Sequence, residues 1–428
     1  MSEIRKLIQE LCPSGVEFKK LGEIGTFTRG SGLQKKDFTE EGFPCIHYGQ
    51  IYTKYGLSTT TTISKCSPEL AEKLIKAHTG DLVIACTSEN VEDVCKAVVW
   101  LGDGDIVTGG HSCVFSHDQD PKYVAYFFQS EQFFLQKKRY AKGVKVIDVK
   151  ASDLERIEIP VPPMEVQCKI VEILDNFSNL TAELEAELEE RKRQYEYYRN
   201  LLLSFSPVAN GAVTGGKHQI KDATENRGGQ TDVTWMKMSE ICSHICSGGT
   251  PLTSKPHYYN GNIPWLRTQE VDWCEITDTS IKITEEGLQN SSAKMIPANC
   301  VIVAMYGATA AKVAINRIPL CTNQACCNLE IDESIALVRY VYQWLCREYE
   351  NLKSLGEGSQ HNINANKVKS FPIPIPSLEE QQRIVDILDR FETLTTDLQS
   401  GLPAEITARR QQYEYYREQL LTFKRKSA

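Results

Sequence analysis

Polar and aromatic side chains are concentrated in short segments that follow one another in the same order in the two halves of the chain. The first half contains TRGSGLQKK (28–36), HYGQ (47–50), CTSEN (86–90), GGHS (109–112) and KGVK (142–145). The second half contains SGGTP (247–251), LRTQE (266–270), MYGATAAK (305–312), TNQA (322–325) and EGSQHN (357–362). Amide side chains pair in bidentate fashion with adenine, and arginine or lysine with guanine. Because lysine, hydroxyl groups and glycine N–H groups suit phosphate oxygens, these segments predict contacts with DNA.

The candidate DNA-binding residues come from both halves. In the first half they are Arg29, Ser31, Gln34, Lys35, Lys36, His47, Tyr48, Gln50, Ser88, Asn90, His111, Lys142 and Lys145. In the second half they are Thr250, Ser254, Lys255, Tyr258, Arg267, Thr268, Gln269, Tyr306, Asn323, Gln324, Gln360, His361 and Asn362. Each residue alone is also typical of an ordinary polar turn, and most protein–DNA contacts position the protein rather than read bases. We interpret the glycine pairs as turn formers, and Trp265 and Trp273 as core residues.

Catalytic motifs are missing from the sequence. It contains no GxGxxG, HExxH or GxSxG and no Asn-Pro-Pro-Tyr-like quartet. The segment GAVTGGK (211–217) resembles a phosphate loop, but His218 stands where a Ser or Thr hydroxyl is needed, and no buried strand precedes it. A zinc site at Cys242, Cys246, Cys321, Cys326 and Cys327 is an alternative, but the spacing lacks a CxxC pair. We therefore expect no catalytic residue, cofactor or metal in this chain.

Composition limits the class of protein. A length of 428 residues predicts two or three domains, and no apolar run is long enough to cross a membrane. The 15 scattered cysteines and an amino terminus without a signal-peptide core predict reduced thiols in the cytoplasm. The net charge of −8 does not suggest a simple nucleic-acid binder. However, residues 1–152 carry equal numbers of basic and acidic side chains, and residues 160–205 carry an acidic excess. Neutral domains can still present a basic face, with partner subunits supplying further phosphate contacts.

The chain is duplicated. Residues 157–177 (IEIPVPPMEVQCKIVEILDNF) match residues 371–391 (FPIPIPSLEEQQRIVDILDRF), and QYEYYRNLLLSF (194–205) matches QYEYYREQLLTF (412–423). The domain starts also correspond, as EFKKLGEIG (17–25) resembles TWMKMSEIC (234–242), and FPCI (43–46) resembles IPWL (263–266). A period near 215 residues is too long for a solenoid and indicates a duplicated domain.

Each repeated block predicts a proline-bounded strand followed by a long helix. The first helix is expected from about 164 to 205, roughly 60 Å long, and Gly401, Leu402 and Pro403 should break the second. A helix of that length cannot bury its apolar stripe alone, so we predict that the two copies pair as an antiparallel coiled coil. The repeat AELEAELE (182–189) is either a device that sets domain spacing or an ordinary solvated helix. The predicted helix–helix or partner-facing residues are Ile170, Leu174, Phe177, Leu180, Leu184, Tyr195, Tyr198, Ile384, Leu388, Phe391, Leu394, Leu398, Tyr413 and Tyr416.

These blocks, with the pattern SGGTP…IPWLRTQE…TNQA, resemble the specificity (S) subunit of type I restriction–modification systems, the HsdS family. The first domain departs from SGGTP, since it has TRGSGLQ at 28–34. The resemblance implies an α+β chain whose two mixed α/β target-recognition domains are separated by two long helices forming an antiparallel coiled coil. It implies a non-catalytic subunit that recognises a bipartite site in double-stranded DNA. It also implies two modification (methyltransferase) subunits carrying S-adenosylmethionine and, when present, restriction subunits using ATP and Mg²⁺.

The expected organisation has five parts. Target-recognition domain 1 spans 1–158, conserved helix 1 spans 159–205, a flexible linker spans 206–232, target-recognition domain 2 spans 233–372 and conserved helix 2 spans 373–428. Two other functions stay open: a solitary DNA-modifying enzyme, and a scaffold that joins proteins without reading bases. The enzyme lacks a cofactor motif, and the scaffold leaves the polar loops without a role.

Overall fold

The computed structural model describes residues 2–205, 233–357, 362–397 and 400–426. The predicted linker 206–232 with GAVTGGK, and the candidates Gln360, His361 and Leu398, lie outside the described residues. The chain divides into two compact units: unit 1 comprises 1–186 with 405–428, and unit 2 comprises 187–404. Among the helices in the described ranges, none has the length and apolar character needed to cross a membrane.

Unit 1 consists of short strands and helices followed by part of a long helix. Its strands are β1 (Glu17–Lys20), β2 (Gly25–Arg29), β3 (Phe38–Thr39), β4 (Phe43–Ile46), β5 (Ser58–Thr59), β6 (Ser64–Cys66), β7 (Ile75–Ala77), β8 (Leu82–Ala85), β9 (Thr87–Ser88), β10 (Ala97–Trp100), β11 (Ile106–Thr108), β12 (Ser112–His117), β13 (Ile147–Asp148) and β14 (Glu158–Val161). Its helices are α1 (Ser2–Leu11), α2 (Leu21–Ile24), α3 (Tyr48–Thr53), α4 (Pro68–Ala71), α5 (Pro121–Phe128), α6 (Glu131–Lys137), α7 (Ala151–Leu154) and the first part of α8 (Met164–Leu202).

Unit 2 repeats this plan. Its strands are β15 (Thr234–Lys237), β16 (Cys242–Ser247), β17 (Tyr259–Leu266), β18 (Cys274–Ile276), β19 (Ile281–Ile283), β20 (Met295–Ile296), β21 (Val301–Ala304), β22 (Val313–Asn316), β23 (Leu320–Thr322), β24 (Cys326–Ile331) and β25 (Pro372–Ile375). Its helices are α9 (Glu285–Gln289), α10 (Val338–Arg347), α11 (Tyr349–Ser354), α12 (Ala365–Lys369) and α13 (Leu378–Thr396), with the second part of α8. The last helix, α14 (Leu402–Leu421), falls almost wholly in unit 1.

One five-stranded sheet has the same topology in both units. Its order is β2-β12-β8-β10-β5 in unit 1 and β16-β24-β21-β22-β18 in unit 2, with only the last pair parallel in each. A second sheet pairs β4 with β11, and β17 with β23, in parallel. The central strands carry continuous apolar runs such as LVIA (82–85) and VIVA (301–304), which are buried throughout. Such runs are typical of strands covered on both faces. The structure thus confirms the duplicated domain.

The proline-bounded segments form β14 and β25, which pair antiparallel with β1 and β15 at the start of each domain. Helices α8 and α13 begin directly after them, as predicted. Helix α8, predicted from about 164 to 205, ends at Leu202. The predicted break in the second copy is also observed, because α13 ends at Thr396 and α14 begins at Leu402.

The apolar stripe is buried near the start of α8 and of α13. Ile170 and Leu174 are fully buried in the core of unit 1, and Ile384 and Leu388 in that of unit 2. Further along, Leu180 and Leu184 are half-buried. Leu394 of the predicted stripe is 36% exposed, whereas the neighbouring Thr395 is buried. One physical reason is that the stripe approaches the break after Thr396, where the regular helical spacing no longer continues.

The sequence motifs repeat because their contacts repeat. The buried Gln167 amide accepts a hydrogen bond from Asp120 N (3.1 Å) and donates to Pro162 O (2.8 Å). Gln381 likewise accepts from Leu337 N (2.9 Å) and donates to Pro376 O (3.0 Å). Each glutamine therefore joins the proline segment, the long helix and the start of α5 or α10. Buried backbone groups need such partners, which explains the proline–glutamine spacing in both copies.

Candidate nucleic-acid interface

The polar loops of unit 1 meet at one end of the sheet β2-β12-β8-β10-β5. Cys86 N donates to His111 O (2.8 Å), Val149 N donates to Cys86 O (3.0 Å) and Gly30 N donates to Ser112 O (2.9 Å). These backbone bonds bring together the predicted segments 28–36, 86–90 and 109–112 with the segment 142–149. Four loops that are far apart in sequence thus form one surface.

The loops of unit 2 meet through equivalent bonds. Met305 N donates to Ala325 O (2.8 Å) and Ile363 N donates to Met305 O (2.8 Å), in the positions of the first two bonds of unit 1. Thr309 Oγ1 donates to Thr268 O (2.8 Å), which adds the LRTQE segment to the cluster. The prediction that the two sets of loops correspond is therefore confirmed for their described residues.

The two loop clusters also have a glycine at the same position, although the sequence motifs around it differ. A Cβ on Gly30 would lie 2.2 Å from Gly109 O, and a Cβ on Gly248 would lie 2.0 Å from Thr322 O. Gly30 of TRGSGLQ and Gly248 of SGGTP follow equivalent strands, β2 and β16. Close backbone approach, rather than a turn, explains both glycines.

In unit 1 the loops border an open cleft of about 380 Å³. It is lined by Gly32, Leu33, Gln34, Lys35, His47, Tyr48, Gly110 and His111. The Tyr48 ring lies between two imidazoles, with centroids 4.5 Å from His47 and 4.8 Å from His111. Five predicted residues therefore line one cleft, which offers ring faces, an amide and a lysine to a ligand.

His47 is 6% exposed but lines this cleft, and it is the best-defined group there. Its Nδ1 accepts a hydrogen bond from Gly49 N (3.2 Å). Burial lowers the pKa of His47 below 6.5, and the nearby Lys35 and His111 act in the same direction. A neutral imidazole whose Nδ1 accepts carries its proton on Nε2. His47 thus offers a single N–H donor.

Other predicted residues of unit 1 have local structural partners. Gln50 accepts from His47 N (3.1 Å) and donates to Ser64 Oγ (2.7 Å). Asn90 accepts from Asp93 N (2.7 Å), and Arg29 pairs with Asp148 (3.0 Å). Ser88 pairs with Ile147 between strands β9 and β13. The predicted residues that lie exposed in unit 1 are Arg29, Ser31, Gln34, Lys35, Lys36, Asn90, His111, Lys142 and Lys145.

In unit 2, Thr250 hydrogen-bonds Gln324, so the SGGTP and TNQA segments touch. Asn323 N donates to Leu266 O (2.9 Å), and Asn362 Oδ1 accepts from Gly307 N (3.3 Å). Arg267 is half-buried, and its Nε has no hydrogen-bond partner among the described residues. The predicted side chains that lie exposed here are Ser254, Lys255, Gln269, Tyr306 and Gln324.

Three sequence-based assignments are corrected. Tyr258 is 2% exposed and receives a hydrogen bond from Lys255 Nζ (2.9 Å), so it is a core residue rather than a DNA contact. Thr268 is also buried, and its carbonyl oxygen accepts a hydrogen bond from Thr309 Oγ1. Trp265 is buried as predicted, whereas Trp273 is 40% exposed, with Lys312 Nζ 4.3 Å from its ring centroid. Sequence reasoning missed this Trp273–Lys312 pair, because the two residues are distant in the chain.

The cysteines of unit 2 lie among apolar neighbours. Burial raises the pKa of Cys321 to about 11 and that of Cys327 to about 12, so both thiols stay protonated at neutral pH. All 15 cysteines are free thiols. No group of three or more His, Cys, Asp or Glu side chains that could hold a metal occurs in the part of the chain that the structure describes.

Comparison with known proteins places both domains in one family. Residues 13–191 and 231–408 each match the type I restriction modification DNA specificity domain. The chain belongs to this specificity-domain family. The EcoR124I/EcoR124II specificity subunit of Escherichia coli is 37% identical over 282 residues, which is 63% of this chain and 63% of that subunit. A type I restriction enzyme specificity subunit of Haemophilus influenzae is 32% identical over 305 residues, 68% of each chain.

Solved structures agree on the fold of the specificity domains. A chain from a type I restriction–modification system has a TM-score of 0.61 at 17% identity, with 95% of this chain and 97% of that chain covered. The two matched specificity domains contain both loop clusters, the first part of α8, all of α13 and the start of α14. They therefore include the described surface on which a DNA contact is predicted.

Proposed function

We propose that this chain is the non-catalytic specificity subunit of a type I restriction–modification complex. Each specificity domain reads one half of a bipartite site in double-stranded DNA. The observation that carries this proposal is the duplicated loop cluster, in which equivalent backbone bonds support different side chains. Two readers with one architecture and different surface chemistry are what a site with two unlike halves requires.

The test is sequence selection by the full chain in complex with its modification subunit. A DNA pool with both half-sites randomised should yield two conserved blocks separated by an unread spacer. Exchange of residues 17–155 for those of a relative should change one block and leave the other unchanged. Uniform binding to all DNA would reject the proposal and favour a scaffold, and methyl transfer by the isolated chain would favour an enzyme.

We infer that two modification subunits dock on the QYEYYR segments. Tyr197 and Tyr415 occupy the same place in the two copies, and each is 60% exposed. In unit 1, Tyr415 borders a cleft of about 570 Å³ that Phe134, Gln411 and Arg417 also line. Large exposed aromatic side chains beside a cleft favour a protein partner. S-adenosylmethionine would belong to the modification subunit, and ATP and Mg²⁺ to a restriction subunit, all acting on cytoplasmic DNA.

Native mass spectrometry can count these partners. The wild-type chain should bind two modification subunits, and Tyr197→Ala or Tyr415→Ala should each weaken one of the two binding steps. Lys192→Ala, an exposed position on the same helix, serves as the matched control. Two unchanged binding steps in the Tyr197→Ala/Tyr415→Ala double variant would reject this docking surface.

A further inference from the structure

His47 and Arg267 occupy the same position in the two domains. Each follows directly on a strand, β4 or β17, whose last residue pairs in parallel with Thr108 or Thr322. The backbone N–H of His47 donates to Gln50 Oε1 (3.1 Å), and that of Arg267 donates to Glu270 Oε1 (3.3 Å). The backbone hydrogen bonds at this position are thus the same in the two domains, and only the side chain differs.

The neighbouring groups leave the Arg267 head group available. Glu270 is occupied by backbone donors, since its second oxygen accepts from Ser280 N (2.8 Å). Gln324 is paired with Thr250. Arg267 Nε is buried and has no partner in the described ranges. A buried polar group without a partner is costly, so a ligand that accepts hydrogen bonds from this guanidinium would remove the cost.

The two side chains present different donor patterns. A guanidinium offers a fork of parallel N–H groups, which matches O6 and N7 of guanine. His47 offers one donor on Nε2, because its Nδ1 accepts from Gly49 N (3.2 Å). A single donor matches a single acceptor, such as a purine N7 or thymine O4. Phosphate contacts would not require different side chains at this position in the two domains, because the backbone of DNA is the same at every site.

We propose that the position shared by His47 and Arg267 determines base specificity in each domain, with Arg267 reading a guanine and His47 reading one hydrogen-bond acceptor. This inference rests on the proposed function and assigns the readout to one position of each loop cluster. The exposed lysines of the same clusters, such as Lys35 and Lys255, are then available for phosphate contacts.

The experiment uses the full chain in complex with its modification subunit and a DNA pool with both half-sites randomised. Arg267→Lys keeps the charge and removes the fork. It should lower the preference for guanine at one base pair about 10- to 100-fold and leave the other half-site unchanged. Arg317→Lys is the matched control, because Arg317 is paired with Glu275 and Asn299 outside the loop cluster.

The reciprocal variant His47→Arg tests the other domain independently of any folding defect at Arg267. It should add a guanine preference at one base pair of its own half-site, whereas the exposed control His78→Arg should not. Unchanged selection by Arg267→Lys and His47→Arg, or a uniform loss of affinity for all sequences, would overturn this inference. If the wild-type complex itself selects no sequence, the proposed function fails instead.

Discussion

The ring of Phe177 stacks on the ring of Tyr416, with centroids 5.2 Å apart and an interplanar angle of 22°. The copy of this pair, Phe391 and Tyr198, has the same separation at 24°. Each pair joins the block that begins with the proline segment in one copy (157–177 or 371–391) to the QYEYYR segment of the other copy. In unit 1 Arg410 also pairs with Glu185, so α8 and α14 run antiparallel there, which supports the predicted coiled coil. The tyrosines of QYEYYR are therefore divided between helix contacts and an exposed face.

The stacked pair predicts measurable coupling. Phe177→Ala should lower the free energy of unfolding by about 1–3 kcal/mol, because a half-buried ring loses its contacts. A double-mutant cycle with Tyr416→Ala should give a coupling energy of about 0.5–1.5 kcal/mol between the two rings. Urea unfolding of the full chain measures both values. Tyr415→Ala is the control, since this neighbouring ring is 60% exposed. Strict additivity of the two substitutions would contradict the stack.

The buried glutamines predict a matched pair of losses. Gln167→Leu and Gln381→Leu each leave a part-buried backbone N–H and a proline carbonyl without their partner. Each substitution should cost about 1–3 kcal/mol, seen as a lower melting temperature in calorimetry. Gln382→Leu, next to Gln381 but exposed, should change stability little. Equal effects of Gln381→Leu and Gln382→Leu would show that the amide bridge is not stabilising.

His117 predicts a loss of stability in acid. Burial lowers its pKa below 6.5, although Asp81, Asp118 and Asp120 act in the opposite direction. Because the unfolded chain then takes up a proton first, stability should fall as the pH drops from 6.5 towards the lower pKa of the folded state. His117→Asn keeps an acceptor for Gln119 N and removes the titration. Urea unfolding at pH 7.5 and 5.5 should show a smaller pH dependence for this variant, and an unchanged dependence would exclude His117 as a cause.

The AELE repeat predicts an effect on the DNA site. Insertion of one further AELE after Glu185 adds four helical residues, or roughly 6 Å and little more than one turn. The unread spacer should lengthen by about one to two base pairs, given 3.4 Å for each base pair, while both half-sites keep their sequences. Methylome sequencing of a host carrying the variant reads out both properties. The same four residues inserted in the 206–232 segment serve as the control, which should leave the spacer unchanged. An unaltered spacer after the AELE insertion would favour the simple solvated-helix interpretation.

The sequence by itself determined the duplication, the order of the loops, the start and length of α8 and the break before α14. These features depend on residue spacing and on proline and glycine, which act over a few neighbouring residues. Periodicity also identified Ile170, Leu174, Ile384 and Leu388 as buried. At Leu394, which is 36% exposed, the stripe approaches a break in the helix.

Only the tertiary structure decided which segments meet. It placed the QYEYYR segment of each copy in the unit of the other copy. The pairs Phe177–Tyr416 and Phe391–Tyr198 show this placement. It buried Tyr258, exposed Trp273 beside Lys312 and showed that His47 and Arg267 share one position. Each of these facts depends on contacts between residues that are far apart in the chain. Local spacing predicts which face of an element is apolar, but it does not specify the segment that covers that face.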